Sequence, residues 1–222
     1  MLSRIVLATV ILGAVSPLQA AQCSGPSDLE RSIQTAPSAG AYSALGAWFA
    51  QHHQVNCAVG AFEKAVQLNP NSWQAHFNLG LALLESKHQN RAISEFRSAV
   101  NGNPSSVPAR NALGAALQAA GQSDEAEADF KAVLQLDPHS TFALDHLGQI
   151  YSAERRYSLA IERWQEAIRS SPADPELRIS LGVAYANNGD PKRAIETLAA
   201  LVRSTPNSAA AHFNLATVYA DN

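Results

Sequence analysis

Charge is scarce in this chain, and the residue clusters that usually mark chemistry are missing. Charged residues make up 16% of its 222 residues, and 16 Lys+Arg stand against 19 Asp+Glu, a formal net charge of −3. No basic stripe exists, so nucleic-acid binding and binding to anionic membranes have no support. There are two cysteines, Cys23 and Cys57, too few to build a structural zinc site alone. No glycine-rich phosphate loop, H-E-x-x-H helix or C-x-x-C pair occurs. The sequence therefore offers no reaction centre and implies no cofactor or metal. Long apolar runs are also lacking. The longest, Ile5 to Val15, is about half of the ~20 residues a spanning helix needs.

That run belongs to the opening segment MLSRIVLATVILGAVSPLQA. Arg4 precedes it, Ser16-Pro17 breaks it, and Leu18-Gln19-Ala20 offers a cleavage site. Residues 1–20 thus read as a secretory signal peptide. The expected destination is the periplasm or the extracellular space, with no integral membrane segment in the mature chain. An uncleaved N-terminal anchor is the alternative. Lipidation at Cys23 is disfavoured by Gln22, where a small residue is wanted. In an oxidising compartment Cys23 and Cys57 could pair; two separate thiols are the other reading.

What the chain has is a period. Pro70, Pro104, Pro138, Pro172 and Pro206 are each 34 residues apart. Leu45-Gly46, Leu79-Gly80, Leu113-Gly114, Leu147-Gly148 and Leu181-Gly182 keep the same spacing, as do Ala58, Ala92, Ala126, Ala160 and Ala194. Four residues after each alanine comes Phe62, Phe96, Phe130, Trp164 or Leu198. Three residues after each glycine comes Phe49, Leu83, Leu117, Tyr151 or Tyr185. Such a chain is a stack of one small unit, each burying its apolar face against its neighbours.

Each unit reads as two helices. Ser72 precedes Phe77, Leu79, Leu81, Leu83 and Leu84 at helical spacing, and a turn follows at Ser86 to Gln89. Ala92, Ile93, Phe96, Ala99 and Val100 then give a second amphipathic helix, which Pro104 ends. Asp174-Pro175 and Asp190-Pro191 place N-caps, and Gly121 and Gly189 stop first helices.

These columns resemble the tetratricopeptide repeat, whose signature is W-x2-L-G-x2-Y, then A-x3-F, then P. The resemblance covers about three quarters of the chain. It implies an all-α fold, a right-handed α-solenoid whose first helices line a concave side. It also implies that the Leu-Gly and Ala columns face each other where paired helices cross, and that the aromatic column fills the groove to the next unit. The expected organisation is a linker with a degenerate half-repeat over residues 21–40, and five repeats over 41–208 (about 41–72, 73–106, 107–140, 141–174 and 175–208). The first helix of a sixth, incomplete repeat occupies 209–222. In the half-repeat Ser27-Asp28-Leu29-Glu30 fits a capping box. In the last helix Leu215 and Tyr219 stay apolar where a partner helix would sit. Truncation, a plain cap and self-association through that end are the three readings.

The family geometry also nominates a wall: Phe77, Asn78, Leu81, Asn111, Gln118, Phe142, Asp145, His146, Gln149, Ile179 and Asn187. Amides there would bond a peptide backbone, while Phe77, Leu81, Phe142 and Ile179 take its apolar side chains. Ser180 would sit beside Asp145 and His146. Yet neighbouring helix residues diverge by about 100°, so an Asp145–His146 catalytic pair is not expected. Of the family's carboxylate clamp only Asn78 has a counterpart; Ser43, Ala47, Pro108 and Ala112 stand in the remaining places, and such binding is disfavoured. His53, four residues from Cys57, offers two metal ligands at most.

The expectation is an exported, non-enzymatic scaffold that binds a protein or peptide segment in bacterial envelope assembly. The alternatives are a docking or regulatory part of a longer enzyme or secretion component, and a self-associating structural protein.

Overall fold

A computed structural model describes residues 23–221, so the signal-peptide reading of residues 1–20 lies outside the described residues. Those residues form twelve helices and no strand. They fall into two compact units, one up to Pro70 and one from Asn71 onwards. The first holds α1 (Ser27–Thr35), α2 (Ala39–Gln51) and α3 (Val55–Leu68). The second holds α4 (Trp73–Glu85), α5 (Gln89–Gly102), α6 (Val107–Ala119), α7 (Ser123–Leu136), α8 (Thr141–Ala153), α9 (Tyr157–Ser170), α10 (Pro175–Asn187), α11 (Pro191–Ser204) and α12 (Ala209–Ala220).

Within each unit, successive helices pair as antiparallel hairpins: α2 with α3, α4 with α5, α6 with α7, α8 with α9, and α10 with α11. In the second unit each hairpin's second helix also packs on the next hairpin's first helix. First helices touch directly as well, α6 with α8 and α10 with α12. The row of first helices is therefore the close-packed side of this unit. It is an all-α stack of helical hairpins.

The repeated columns are its core. Leu79, Leu113 and Leu147 are buried, as are Ala92, Ala126, Ala160 and Ala194. One expectation needs correcting. The glycine column faces the ring or leucine sixteen residues on, in the same hairpin, more closely than it faces the alanines. A Cβ added at Gly80 would lie 2.5 Å from Phe96; at Gly114, 2.8 Å from Phe130; at Gly148, 2.5 Å from Trp164; at Gly182, 2.6 Å from Leu198. Gly46 meets Phe62 in the same way at 2.7 Å. The missing side chain makes the seat for the large one. The ring thus packs into its own hairpin, and Phe130 also stacks on the next one, against His146.

Two further columns set the turns. Ser38, Ser72, Ser106, Ser140, Asp174 and Ser208 cap the first helices, each side chain accepting a bond from a first-turn N–H. Each first helix but the last ends in a left-handed residue: His53, Lys87, Gly121, Arg155 and Gly189. The N–H that follows reaches back to the helix, as from His88 to Leu83 O at 2.8 Å. Three of these residues are not glycine, because the turn bonds and packing on both sides hold them there.

The N-terminal segment departs from expectation. Ser27 makes no side-chain cap; Pro26 is the N-cap residue of α1. Glu30 instead accepts a bond from Gly25 N at 2.7 Å. Gly25 itself lies against Leu45. No residue of α1 is fully buried. The segment is held covalently: Cys23 and Cys57 form a disulfide, which resolves the two readings of the cysteines. His53 and Cys57 therefore offer no thiolate pair to a metal.

The glycine seats generate a test. Gly80→Ala should cost about 1–3 kcal/mol by overpacking, against the roughly 1 kcal/mol that alanine gains in helix propensity. Urea unfolding of Gly80→Ala, Phe96→Leu and the double variant should show a coupling of at least about 0.5 kcal/mol. Strict additivity would refute the direct contact.

Candidate functional site

The first helices of the second unit carry all the nominated wall residues. Leu81 and Phe142 are 44% and 45% exposed, open enough to meet a ligand. Phe77 is half-buried and leans on Phe96, with ring centroids 6.0 Å apart. Asn78 is half-buried, and Asn187 is exposed at the end of α10. Ile179 differs from expectation. It is buried in a cluster with Leu201 and Ala211, flanked by Val183 and Val202. Residue 179 stands in the same column as Phe77 and Asp145, but α12 and α11 close over it. It is a core residue, unavailable as an anchor.

Four nominated residues converge into one polar network. His146 Nδ1 lies 2.7 Å from Gln118 Oε1. An amide oxygen can only accept, so Nδ1 carries the hydrogen and Nε2 is left as an acceptor. Gln118 Nε2 donates to Gln149 Oε1 at 3.4 Å. Gln149 Nε2 donates to Asp145 Oδ2 at 2.8 Å. Asp145 Oδ1 accepts from Trp164 Nε1 at 2.7 Å. Every donor chain in this group ends on the Asp145 carboxylate. The network ties α6 to α8 and α8 to α9, so it spans two hairpins.

The residue that sequence reasoning missed here is Trp164. It stands in the aromatic packing column, and nothing in that pattern reveals that its N–H points at a carboxylate. The comparison one repeat earlier is instructive. Asn111 occupies the column of Asp145, and Phe130 the column of Trp164. A phenyl ring has no donor, and Asn111 Oδ1 is buried without a hydrogen-bond partner.

Aromatic packing fixes His146. It stacks on Phe130 at 4.9 Å and 13°, and Phe142 lies tilted against it at 4.3 Å. Burial pushes the imidazole below its ordinary value; the Asp145 charge opposes this and is the smaller effect. Asp145 accepts its hydrogen bonds from Trp164 and Gln149, not from His146. Ser180 makes no hydrogen bond to either among the described residues. The set thus lacks the nucleophile–base–orienter arrangement of acyl-transfer catalysis.

Other polar side chains tie the scaffold together. His76 pairs with Glu95 at 2.6 Å, and Arg110 pairs with Asp129 at 2.8 Å, each bridging the two helices of one hairpin. His212 Nε2 lies 2.9 Å from Pro206 O. An open cleft of about 840 Å³ lies elsewhere, bordered by Leu134, Pro138, Thr141, Leu144, Arg163 and Arg169. Its cations are compensated, since Glu166 pairs with Arg163 at 2.8 Å and approaches Arg169. On α12, Phe213 and Tyr219 are 70% and 58% exposed. Among the described residues no three His, Cys, Asp or Glu side chains gather as a metal site, and no helix is long and apolar enough to cross a membrane.

Comparison with known proteins agrees with the architecture. The tetratricopeptide repeat family model matches residues 146–209 and 181–222. The model for anaphase-promoting complex, cyclosome, subunit 3 matches residues 51–133. Bacteriophage adsorption protein A of Escherichia coli (strain K12) is 44% identical over 59 residues, 27% of this chain; the chain spans 6% of that relative's length. The crystal structure of YrrB, described as a TPR protein with an unusual peptide-binding site, superposes with a TM-score of 0.74 at 18% identity, covering 83% of this chain and 96% of that one. MamA superposes at 0.73 with 21% identity, covering 77% and 93%. A tetratricopeptide repeat protein from Parabacteroides merdae ATCC 43184 does so at 0.74 with 16% identity, covering 87% and 73%. At these identities the structures speak for the fold alone.

The buried imidazole predicts a pH dependence. The unfolded chain takes up a proton near its ordinary value of about 6.5, and the folded chain only below that. The stability His146 contributes as a neutral ring is present above about pH 6.5 and is lost as pH falls through the lowered folded value. Urea midpoints measured at about pH 7 and about pH 5 should fall more for the native chain than for His146→Gln. Equal falls would show that the ring titrates as if in water.

Proposed function

The chain belongs to the tetratricopeptide repeat family, and on that footing we propose that it is a non-enzymatic scaffold whose first-helix wall, α4 to α12, binds a peptide or protein segment. One observation carries the reading. Exposed Phe142 stands on α8 with Asp145 and Gln149, which are already pinned by the Gln118–Gln149–Asp145–Trp164 bonds, and exposed Leu81 lies on α4 of the same row of first helices. Pinned groups lose little freedom on binding, which favours affinity. The groups that could suggest catalysis are each engaged in packing or in this network.

Export is part of the proposal. The Cys23–Cys57 disulfide fits an oxidising compartment, and the leader composition fits delivery there. The partial likeness to the phage adsorption protein points to the same surroundings. A role in bacterial envelope assembly is the finer form of this reading. Self-association through α12 is a second reading, favoured by exposed Phe213 and Tyr219.

Two measurements test these points. A segment captured by the wall should bind Leu81→Ala/Phe142→Ala at least about tenfold more weakly, or about 1.4 kcal/mol, with helicity by circular dichroism unchanged; full-strength binding would remove the wall as the site. Protein isolated from its own cells without reductant should show no thiol reactive to a maleimide until it is unfolded and reduced. Two free thiols in the native preparation would argue against export.

A further inference from the structure

We propose that the segment bound by this wall is basic, with a lysine or arginine side chain lying along the Phe142 ring toward the Asp145 carboxylate; this rests on the wall reading above. The helices that form the wall carry more acids than bases. Their acids are Glu85, Asp145 and Glu176; their arginines are Arg110 and Arg178, and they carry no lysine. Both arginines turn away from the open side. Arg110 donates to Pro104 O at 2.7 Å and pairs with Asp129 at 2.8 Å. Arg178 donates to Pro172 O. Each guanidinium is tied back to the loop preceding its own helix; Asp129 neutralises Arg110, so the wall's three carboxylates face one guanidinium, Arg178, and the balance is negative.

Asp145 has room for a further donor. Its two oxygens each accept one bond from a neutral donor, Trp164 or Gln149, and among the described residues it joins no ion pair. A carboxylate offers about four acceptor positions, so capacity remains on both oxygens. The group is held in one orientation, is half-buried, and has no counter-ion. A charged donor arriving there forms a charge-assisted bond without reorganising the site.

An open ring shares its helix face. Phe142, Asp145, His146 and Gln149 occupy one face of α8 at spacings of three, four and seven. Phe142 is 45% exposed and is braced by His146 at 4.3 Å and by Phe130 at 6.2 Å. A braced, open aromatic face next to an unpaired carboxylate is what a Lys or Arg head with an apolar stem fits. Glu176 stands in the column of Phe142 one repeat further on, exposed, and extends the negative track to α10. An acidic segment would meet repulsion at both points.

The test is selection from a random linear peptide library displayed on phage, using the full chain at low and at near-physiological salt. Selected peptides should be enriched in Lys or Arg next to an apolar residue. A synthetic selected peptide should bind Asp145→Asn about tenfold more weakly, while Glu196→Gln on α11 leaves binding unchanged. Asn at 145 keeps an acceptor for Trp164, so the fold is preserved. Replacing the peptide's basic residue with glutamine should produce a similar loss with the protein untouched. Peptides that depend on Leu81 and Phe142 but lack basic residues, or bind Asp145→Asn at full strength, overturn this inference and leave the wall reading intact. Failure to select any peptide sensitive to Leu81→Ala/Phe142→Ala removes both.

Discussion

The structure depends on one contact repeated along the chain: a large side chain on the second helix of a hairpin seated on a glycine of the first. With the added Cβ falling 2.5–2.8 Å from Phe96, Phe130, Trp164 and Leu198, no other residue fits without movement. The contact fixes how closely two helices approach and how far each may slide, because the ring has one place to sit. Every other regularity of the fold follows from that spacing. The buried alanines fit between helices already held close, and the serine caps recur because each hairpin begins at the same phase.

Much of this was legible from the columns. The period of 34 located the helices, the breakers located the turns, and Gly121 and Gly189 marked stops. What the columns hid was direction. The alanine column looked like the partner of the glycines, yet the ring four residues on takes that place, since a helix brings both positions to the same face. His53, Lys87 and Arg155 carry no mark of a left-handed turn; only their register with Gly121 and Gly189 reveals it. Ile179 was indistinguishable from a wall residue until the packing of α11 and α12 covered it.

The wall was legible by position and obscure by bonding. Gln118, Asp145, His146 and Gln149 could be placed on one side of the stack, but not in one hydrogen-bonded chain. That chain depends on rotamers and on Trp164, a residue whose spacing announces only bulk. The contrast between Asp145 over Trp164 and Asn111 over Phe130 explains why two similar repeats differ in character. One holds a carboxylate in place and the other leaves a carbonyl unsatisfied. Function in such a stack resides in these departures from the consensus, since the shared columns are occupied with packing.

The bridge between Cys23 and Cys57 joins positions one repeat length apart, 34 residues. It sets by covalent bond the adjacency that burial sets elsewhere, at the one described helix that buries nothing fully. Closing a loop of that size removes roughly 3–4 kcal/mol of disorder from the unfolded ensemble. Here α1 cannot peel away from α3 while the bond is intact, so thermal opening of the first unit must nucleate elsewhere, and the clamp holds only where electrons are not supplied to break it.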